Sequence, residues 1–408
     1  MKRPTIFISY SWQTKEIADK ISSDLQLISI TIIKDNQELN YTDSIPNFMK
    51  RIRSSDYALL LISDSYLKSK NCLFEILELQ KDENHWDKIL PIVVKETKFY
   101  SAVERLKYVS FWEQKIKELE NALENINPIN SPDSYKELKL FKDISSNIDG
   151  FLKRISESLH FSPEEIIQKN YEPLIEKLGS NYEPKSLIDL LSIALISNLE
   201  QREVALEEYV KRHGENSYYY SIKAGTSRDL KKYDQAIYYY RKGLELDSTN
   251  FEILNNLGQI LENEKSDFKE ARICYEKSIK SKPEMDIPRL NLGVLLNRHF
   301  KDSEGAKKQY EKILVFDPNN AKAHNNLGNL YKVNNPTKEQ LEKAEFHFLK
   351  AIESNPNYIE ALLNYGNFLK VYKKEFEKGN QYYQKIRELD KEGNLKEILD
   401  VLIKSTKG

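Results

Sequence analysis

From about residue 215 onward one arrangement of landmarks recurs. Gly225, Gly258, Gly293, Gly328 and Gly366 follow one another at intervals of 33, 35, 35 and 38 residues. Each is followed by a small residue (Ala236, Ala271, Ala306, Ala344, Gly379), and four residues later by an aromatic one (Tyr240, Tyr275, Tyr310, Phe348, Tyr383). In the middle three copies Pro283, Pro318 and Pro356 stand twelve residues after the small residue. A period of this length belongs to helical hairpins that bury their apolar faces only by stacking on neighbours. Small residues let helices approach closely, the aromatics fill the gap between hairpins, and the prolines stop the second helix of each pair. Residues 215–408 are therefore read as an all-α solenoid of about five hairpins.

The first 158 residues follow a different rule. Short apolar runs at Ile6 to Tyr10, Ser29 to Ile33, Tyr57 to Ile62, Ile89 to Val94 and Tyr108 to Phe111 read as strands buried on both faces. Between and after them lie helical patterns at Lys15 to Leu27, Ser44 to Arg53, Asn71 to Asp82, Glu118 to Glu124 and Tyr135 to Leu159. That alternation predicts an α/β domain with a flavodoxin-like, doubly wound parallel sheet, whose ligand site lies beyond the carboxyl ends of the strands. Residues 159–214 read as a non-repetitive helical connector. Its run S-L-I-D-L-L-S-I-A-L-I-S-N-L is apolar around most of the helix and calls for burial between neighbours.

Composition narrows the function classes. Lys+Arg at 62 against Asp+Glu at 63 gives a net charge of -1, so no global field draws the 408-residue chain to nucleic acid or an anionic membrane. No stretch reaches the roughly 18 apolar residues of a membrane span. Cys72 and Cys274 lie in different predicted domains, which argues against a disulfide and for a reducing cytoplasm. The six histidines show no metal-ligand spacing, so no metal is expected. No glycine-rich phosphate loop is present, which removes ordinary dehydrogenase and nucleoside triphosphatase readings.

Three motifs in order carry a resemblance across residues 5 to about 158. I-F-I-S-Y-S-W at 6–12, K-D-N-Q-E-L-N-Y-T-D-S-I-P-N-F-M at 34–49 and S-D-Y-A-L-L-L-I-S-D-S-Y-L-K-S-K-N-C-L-F-E at 55–75 resemble the TIR domain family. Leu-Gly at 257–258, 292–293 and 327–328, with Tyr331 three residues beyond the last, resembles the tetratricopeptide repeat (TPR). In enzymatic TIR domains the glutamate three residues after the cysteine cleaves the nicotinamide–ribose bond of NAD+, and Glu75 holds that place after Cys72. The resemblance implies NAD+ as substrate, with no separate cofactor. It also implies self-association through TIR domains, a protein or peptide ligand on the TPR solenoid, and a role in bacterial immune defence or signalling.

Helical spacing sets Cys72, Leu73, Ile76 and Leu79 on an apolar stripe and Asn71, Glu75, Glu78 and Asp82 on the wetter side. On spacing alone Glu75 and Glu78 are solvated surface acids, and only the family register singles out Glu75. Many NAD-cleaving relatives place tryptophan four residues before that glutamate, where this chain has Asn71. Tyr10 and Trp12, in the first strand's exit loop, are the alternative stacking candidates. Ser44, with Asp43, reads as a helix N-cap that could also receive a dinucleotide phosphate, and Asp35 as a bond within its loop or to the ligand. Cys72 reads as a small core residue, since no histidine lies near it. The alternative to an NAD+ glycohydrolase or cyclase is a non-catalytic TIR/TPR scaffold, which Asn71 favours.

Overall fold

The computed structural model describes residues 4–28, 30–34, 55–178, 183–283, 285–332, 336–390 and 393–404. They form two compact units, Met1–Tyr239 and Tyr240–Gly408. Within the first, strands β1 (Thr5–Tyr10), β2 (Thr31–Lys34), β3 (Tyr57–Ile62) and β4 (Ile89–Val93) pair in parallel in the order β2-β1-β3-β4. Register is set by pairs such as Ile8 with Leu59 and Leu61 with Ile92. The chain runs outward from β1 to β2 and then returns to β3. The crevice between β1 and β3 is therefore the point of topological reversal where doubly wound sheets bind ligands.

Side chains alternate across the sheet with period two. Phe7, Ala58, Leu60, Ile62 and Val93 pack beneath helices at Lys70–Leu79, Ala102–Leu123 and Pro132–Glu157. Ile6, Ile8, Leu59, Leu61, Leu90 and Ile92 share the opposite core with the helix at Lys15–Gln26 and with the connector residues Ile166, Leu174, Leu187 and Leu191. Phe161 extends the β4 edge by a parallel bridge to Ile92, its carbonyl accepting from Val93 N–H at 2.9 Å. Residues after 158 thus complete the α/β core. Their attachment includes backbone strain: buried Tyr171 holds φ 61 and Asn170 φ 47, and the Tyr171 hydroxyl donates to Asp24 at 2.6 Å.

The stretch Tyr108 to Phe111, expected as a fifth strand, is helical. It lies inside the 22-residue helix Ala102–Leu123, whose Ser101–Glu104 capping box starts the turn and whose Tyr108 and Trp112, one turn apart, are buried together. A helical i, i+4 pair there mimics a continuous β-type run. The expected helix at Ser44 to Arg53 falls outside the described residues.

The second unit stacks helical hairpins: Phe251–Asn263 with Phe268–Ser281, Asp286–His299 with Ser303–Phe316, Ala321–Tyr331 with Lys338–Ser354, and Ile359–Phe368 with Phe376–Leu389. The aromatics lie inside each hairpin, a correction to their expected place between hairpins. A Cβ on Gly258 would stand 2.7 Å from the Tyr275 ring, one on Gly293 would run into the Tyr310 ring, and one on Gly328 would stand 2.7 Å from Phe348. Gly225 is different, with nothing within 4 Å of an added Cβ. Lys231, Ser266, Lys301 and Lys374 take left-handed conformations at φ 53 to 59 in the inter-helix turns, a role that glycine usually fills.

His324 Nε2 donates to the Pro318 carbonyl at 2.8 Å, and its Nδ1 lies 2.9 Å from His347 Nδ1. Burial, reinforced by the neighbouring His324, pushes the His347 imidazole down to about 4.

Three outcomes follow from this packing. Gly328→Ala should cost about 1–3 kcal/mol by overpacking against buried Phe348, whereas Gly225→Ala should be neutral or stabilise by up to about 1 kcal/mol, both read by chemical denaturation. A depressed histidine in the folded state gives up stability as pH falls from 6.5 toward 4, because the unfolded chain takes the proton first. The thermal midpoint should accordingly fall less across that window in His347→Gln than in wild type. A chain ended at residue 158 should fail to give a monodisperse, natively folded species by gel filtration and circular dichroism.

Candidate functional site

Three consecutive residues at the exit of β1 each bind the segment that follows β3. Ser9 Oγ lies 2.7 Å from the Tyr66 hydroxyl, the Tyr10 carbonyl accepts from the Cys72 thiol at 3.5 Å, and Ser11 Oγ lies 2.6 Å from Ser65 Oγ and 3.1 Å from Ser63 Oγ. Ser63 and Ser65 are 2.9 Å apart and Thr14 joins the group at 3.2 Å from Ser11. This hydroxyl cluster ties the carboxyl end of β1 to the segment that follows β3. Ser63 also caps the one-turn helix Asp64–Leu67, accepting from Tyr66 N–H at 3.1 Å, and Ser69 caps Lys70–Leu79 through Cys72 N–H.

Glu75 sits midway along Lys70–Leu79 and is 1% exposed, so the expected wet stripe is corrected. Glu78 is also buried and pairs with Lys81, rather than standing as a surface acid. The reason is tertiary: this helix lies between the sheet and Pro132–Glu157, so Leu73, Ile76 and Leu77 meet Ile144, Ile148 and Phe151 while Cys72 faces the exit of β1. The shallow crevice that those six residues line together with Gln80 and Asn147 does not include Glu75. On the β1 side, Tyr66 is fully buried, and its phenol is pushed well above its ordinary value by burial first and then by Cys72 and Glu75.

The other candidates separate. Tyr10 is 5% exposed and belongs to the sheet core, which removes its ring as a surface platform. Trp12 is 64% exposed in the turn Trp12–Thr14, with Lys15 Nζ 4.9 Å above its ring. Asn71 is half-buried in the first turn of the Glu75 helix, next to Lys70, which pairs with Glu137 at 2.6 Å. Asp35 and Ser44 lie outside the described residues. Ser9, Ser11, Ser63, Ser65 and Tyr66 were missed by sequence reasoning. Their signal was the pair of serine-rich exits, I-S-Y-S after one apolar run and I-S-D-S-Y after another. The tyrosines at 218–220 are buried in the first unit's core, while Tyr238 is exposed.

Among the described residues no helix is long and apolar enough to cross a membrane. Comparison with known proteins matches a TIR domain model to residues 6–126, a TPR repeat model to 227–264, and tetratricopeptide repeat models to 251–285 and 309–346. A curated relative, the Protein O-mannosyl-transferase Tmtc3 of Drosophila melanogaster, is 24% identical over 143 residues, 32% of this chain and 15% of its own length. Solved structures with similar helical repeats include MamA from Desulfovibrio magneticus RS-1, 23% identical over 44% of this chain and 98% of that one, TM-score 0.37. PilF of Pseudomonas aeruginosa is 22% identical over 49% of this chain and 88% of its own, TM-score 0.42. The chain therefore joins a TIR domain at its N-terminal end to a series of tetratricopeptide repeats.

Proposed function

We propose that the chain is a signalling or defence enzyme that cleaves the nicotinamide–ribose bond of NAD+ when copies assemble through their TIR domains. The observation that supports this reading is the burial of the Glu75 side chain on the helix whose Cys72 thiol bonds to the exit of β1, the end of the strands at which a doubly wound sheet takes its ligand. NAD+ asks for little acid–base chemistry there. Nicotinamide departs as a neutral molecule from a pyridinium cation, so no general acid is needed, unlike an ordinary glycoside with its two carboxylates. One preorganised anion that stabilises the oxocarbenium-like ribose suffices. Water then captures the sugar to give ADP-ribose, or the adenine ring of the same molecule closes a cyclic product. Trp12, exposed at the mouth, is the aromatic available to cover the base, in place of the tryptophan that Asn71 replaces. The repeats hold a protein or peptide partner whose binding brings the TIR domains together.

Asn71 favours a second reading, in which the TIR domains only build a scaffold. The two separate on one measurement. Full-length protein fused to an inducible oligomerisation module should consume NAD+ and release nicotinamide by chromatography, and Glu75→Ala should lower the rate about 10²-fold or more. No turnover in any assembled form would leave the scaffold reading alone.

A further inference from the structure

We propose that His324 and His347 form a binding site for a transition-metal ion of tetragonal preference, Cu²⁺ above all, held through their two Nδ1 atoms. This is independent of the NAD+ reading and rests on the second unit alone.

The two histidines lie 23 residues apart, a separation at which no ligand spacing shows in the sequence. The hairpin of Ala321–Tyr331 with Lys338–Ser354 brings them together, with ring centroids 5.2 Å apart and Nδ1 to Nδ1 at 2.9 Å. His324 Nε2–H donates to the Pro318 carbonyl at 2.8 Å, which leaves a lone pair on its Nδ1. Metal-ligating imidazoles are commonly held this way, with the far nitrogen tied to a carbonyl. His347 supplies the shared hydrogen from its own Nδ1, and its ring is fixed by Tyr331, stacked at 5.7 Å and 7°, and by Phe346, edge-on at 5.2 Å. Gly328, which receives the Phe348 ring, sets the distance between the two helices.

Geometry selects the ion. At metal–nitrogen distances of about 2.0–2.1 Å, two neighbouring ligands of a square-planar ion stand about 2.8–3.0 Å apart, against about 3.3–3.4 Å on a tetrahedral one. The observed 2.9 Å fits the first, and Cu²⁺ binds nitrogen ligands most tightly among divalent ions of the first row. On binding, each ring turns its Nδ1 lone pair toward the ion. His347 moves its proton from Nδ1 to Nε2 through water, so both rings stay neutral and no proton is released. His324 is buried, whereas half-buried His347 and exposed Phe346 mark the side from which the ion enters. Among the described residues no group of three histidine, cysteine or acidic side chains is placed for a metal, so water completes the coordination. An ion there crosslinks the two helices of one repeat.

The test is run on full-length protein freed of metal by a chelator. One equivalent of Cu²⁺ should give a tetragonal electron paramagnetic resonance spectrum with hyperfine structure from two nitrogens, and the thermal midpoint should rise as copper is added. His347→Gln should lose that spectrum and weaken binding of the first equivalent about 100-fold or more, since even an outer-shell partner is worth about 10–100-fold in metal affinity. A wild type that retains no copper on dialysis overturns the proposal. So does a spectrum and midpoint shift unchanged in His347→Gln, which would assign the copper to other groups. If His347→Gln fails to fold, wild type labelled with 15N in its imidazoles decides the matter. The hydrogen-bonded pair is identified by its 15N–15N coupling, and substoichiometric Cu²⁺ should broaden those two rings first; earlier broadening of any other histidine overturns the proposal.

Discussion

The exit of β1 is the fixed point of the first unit. Ser9, Tyr10 and Ser11 are successive residues, so their side chains and carbonyls diverge to both faces and the end of the sheet. All three nevertheless bond to the short stretch between Ser63 and Cys72. The helices that begin in that stretch, Asp64–Leu67 and Lys70–Leu79, are joined by two residues, and in isolation neither would be stable at such length. Their order comes from the strand, the two serine caps and the buried ring of Tyr66. Glu75 inherits its position from those contacts, which is why a carboxylate can be held inside a helix that is packed on both sides.

The same unit is closed by residues well beyond the TIR-like motifs. One face of the sheet shares its core with helices between 163 and 213, and Phe161 bonds to the edge strand. The segment read from sequence as a packed helical connector is thus part of this core. The strained pair Asn170 and Tyr171 lies within it, and the bond from Tyr171 to Asp24 anchors that strain to the helix following β1. In the second unit a different contact sets the spacing. Glycine on one helix receives the aromatic ring of the next, and a ring of fixed size at a fixed offset gives hairpins of similar geometry.

Much of this was legible in the amino-acid sequence, for physical reasons that differ by region. The repeats were legible because the glycine-to-aromatic contact demands the same residue types each time. The four strands were legible because burial on both faces leaves unbroken apolar runs, as at Tyr57 to Ile62. Tyr108 to Phe111 misled because aromatic residues favour strands locally, while the capping box upstream and the burial of Tyr108 with Trp112 are helical features. Glu75 is singled out only by register with a family motif, and periodicity misplaces it on the wet side of its helix. A helical stripe describes one buried face, and this helix has two. The hydroxyl cluster was hidden because its members come from two exits about fifty residues apart, and only the β1–β3 pairing brings them together.

In the NAD-cleaving reading the Glu75 carboxylate faces the ribose of a dinucleotide bound at the carboxyl ends of β1 and β3. A structure of the assembled full-length protein with a non-cleavable NAD+ analogue tests it most directly. The ribose should lie against Glu75, with the base near Trp12. An analogue bound elsewhere, or seated there with Glu75 turned into the core, would contradict it.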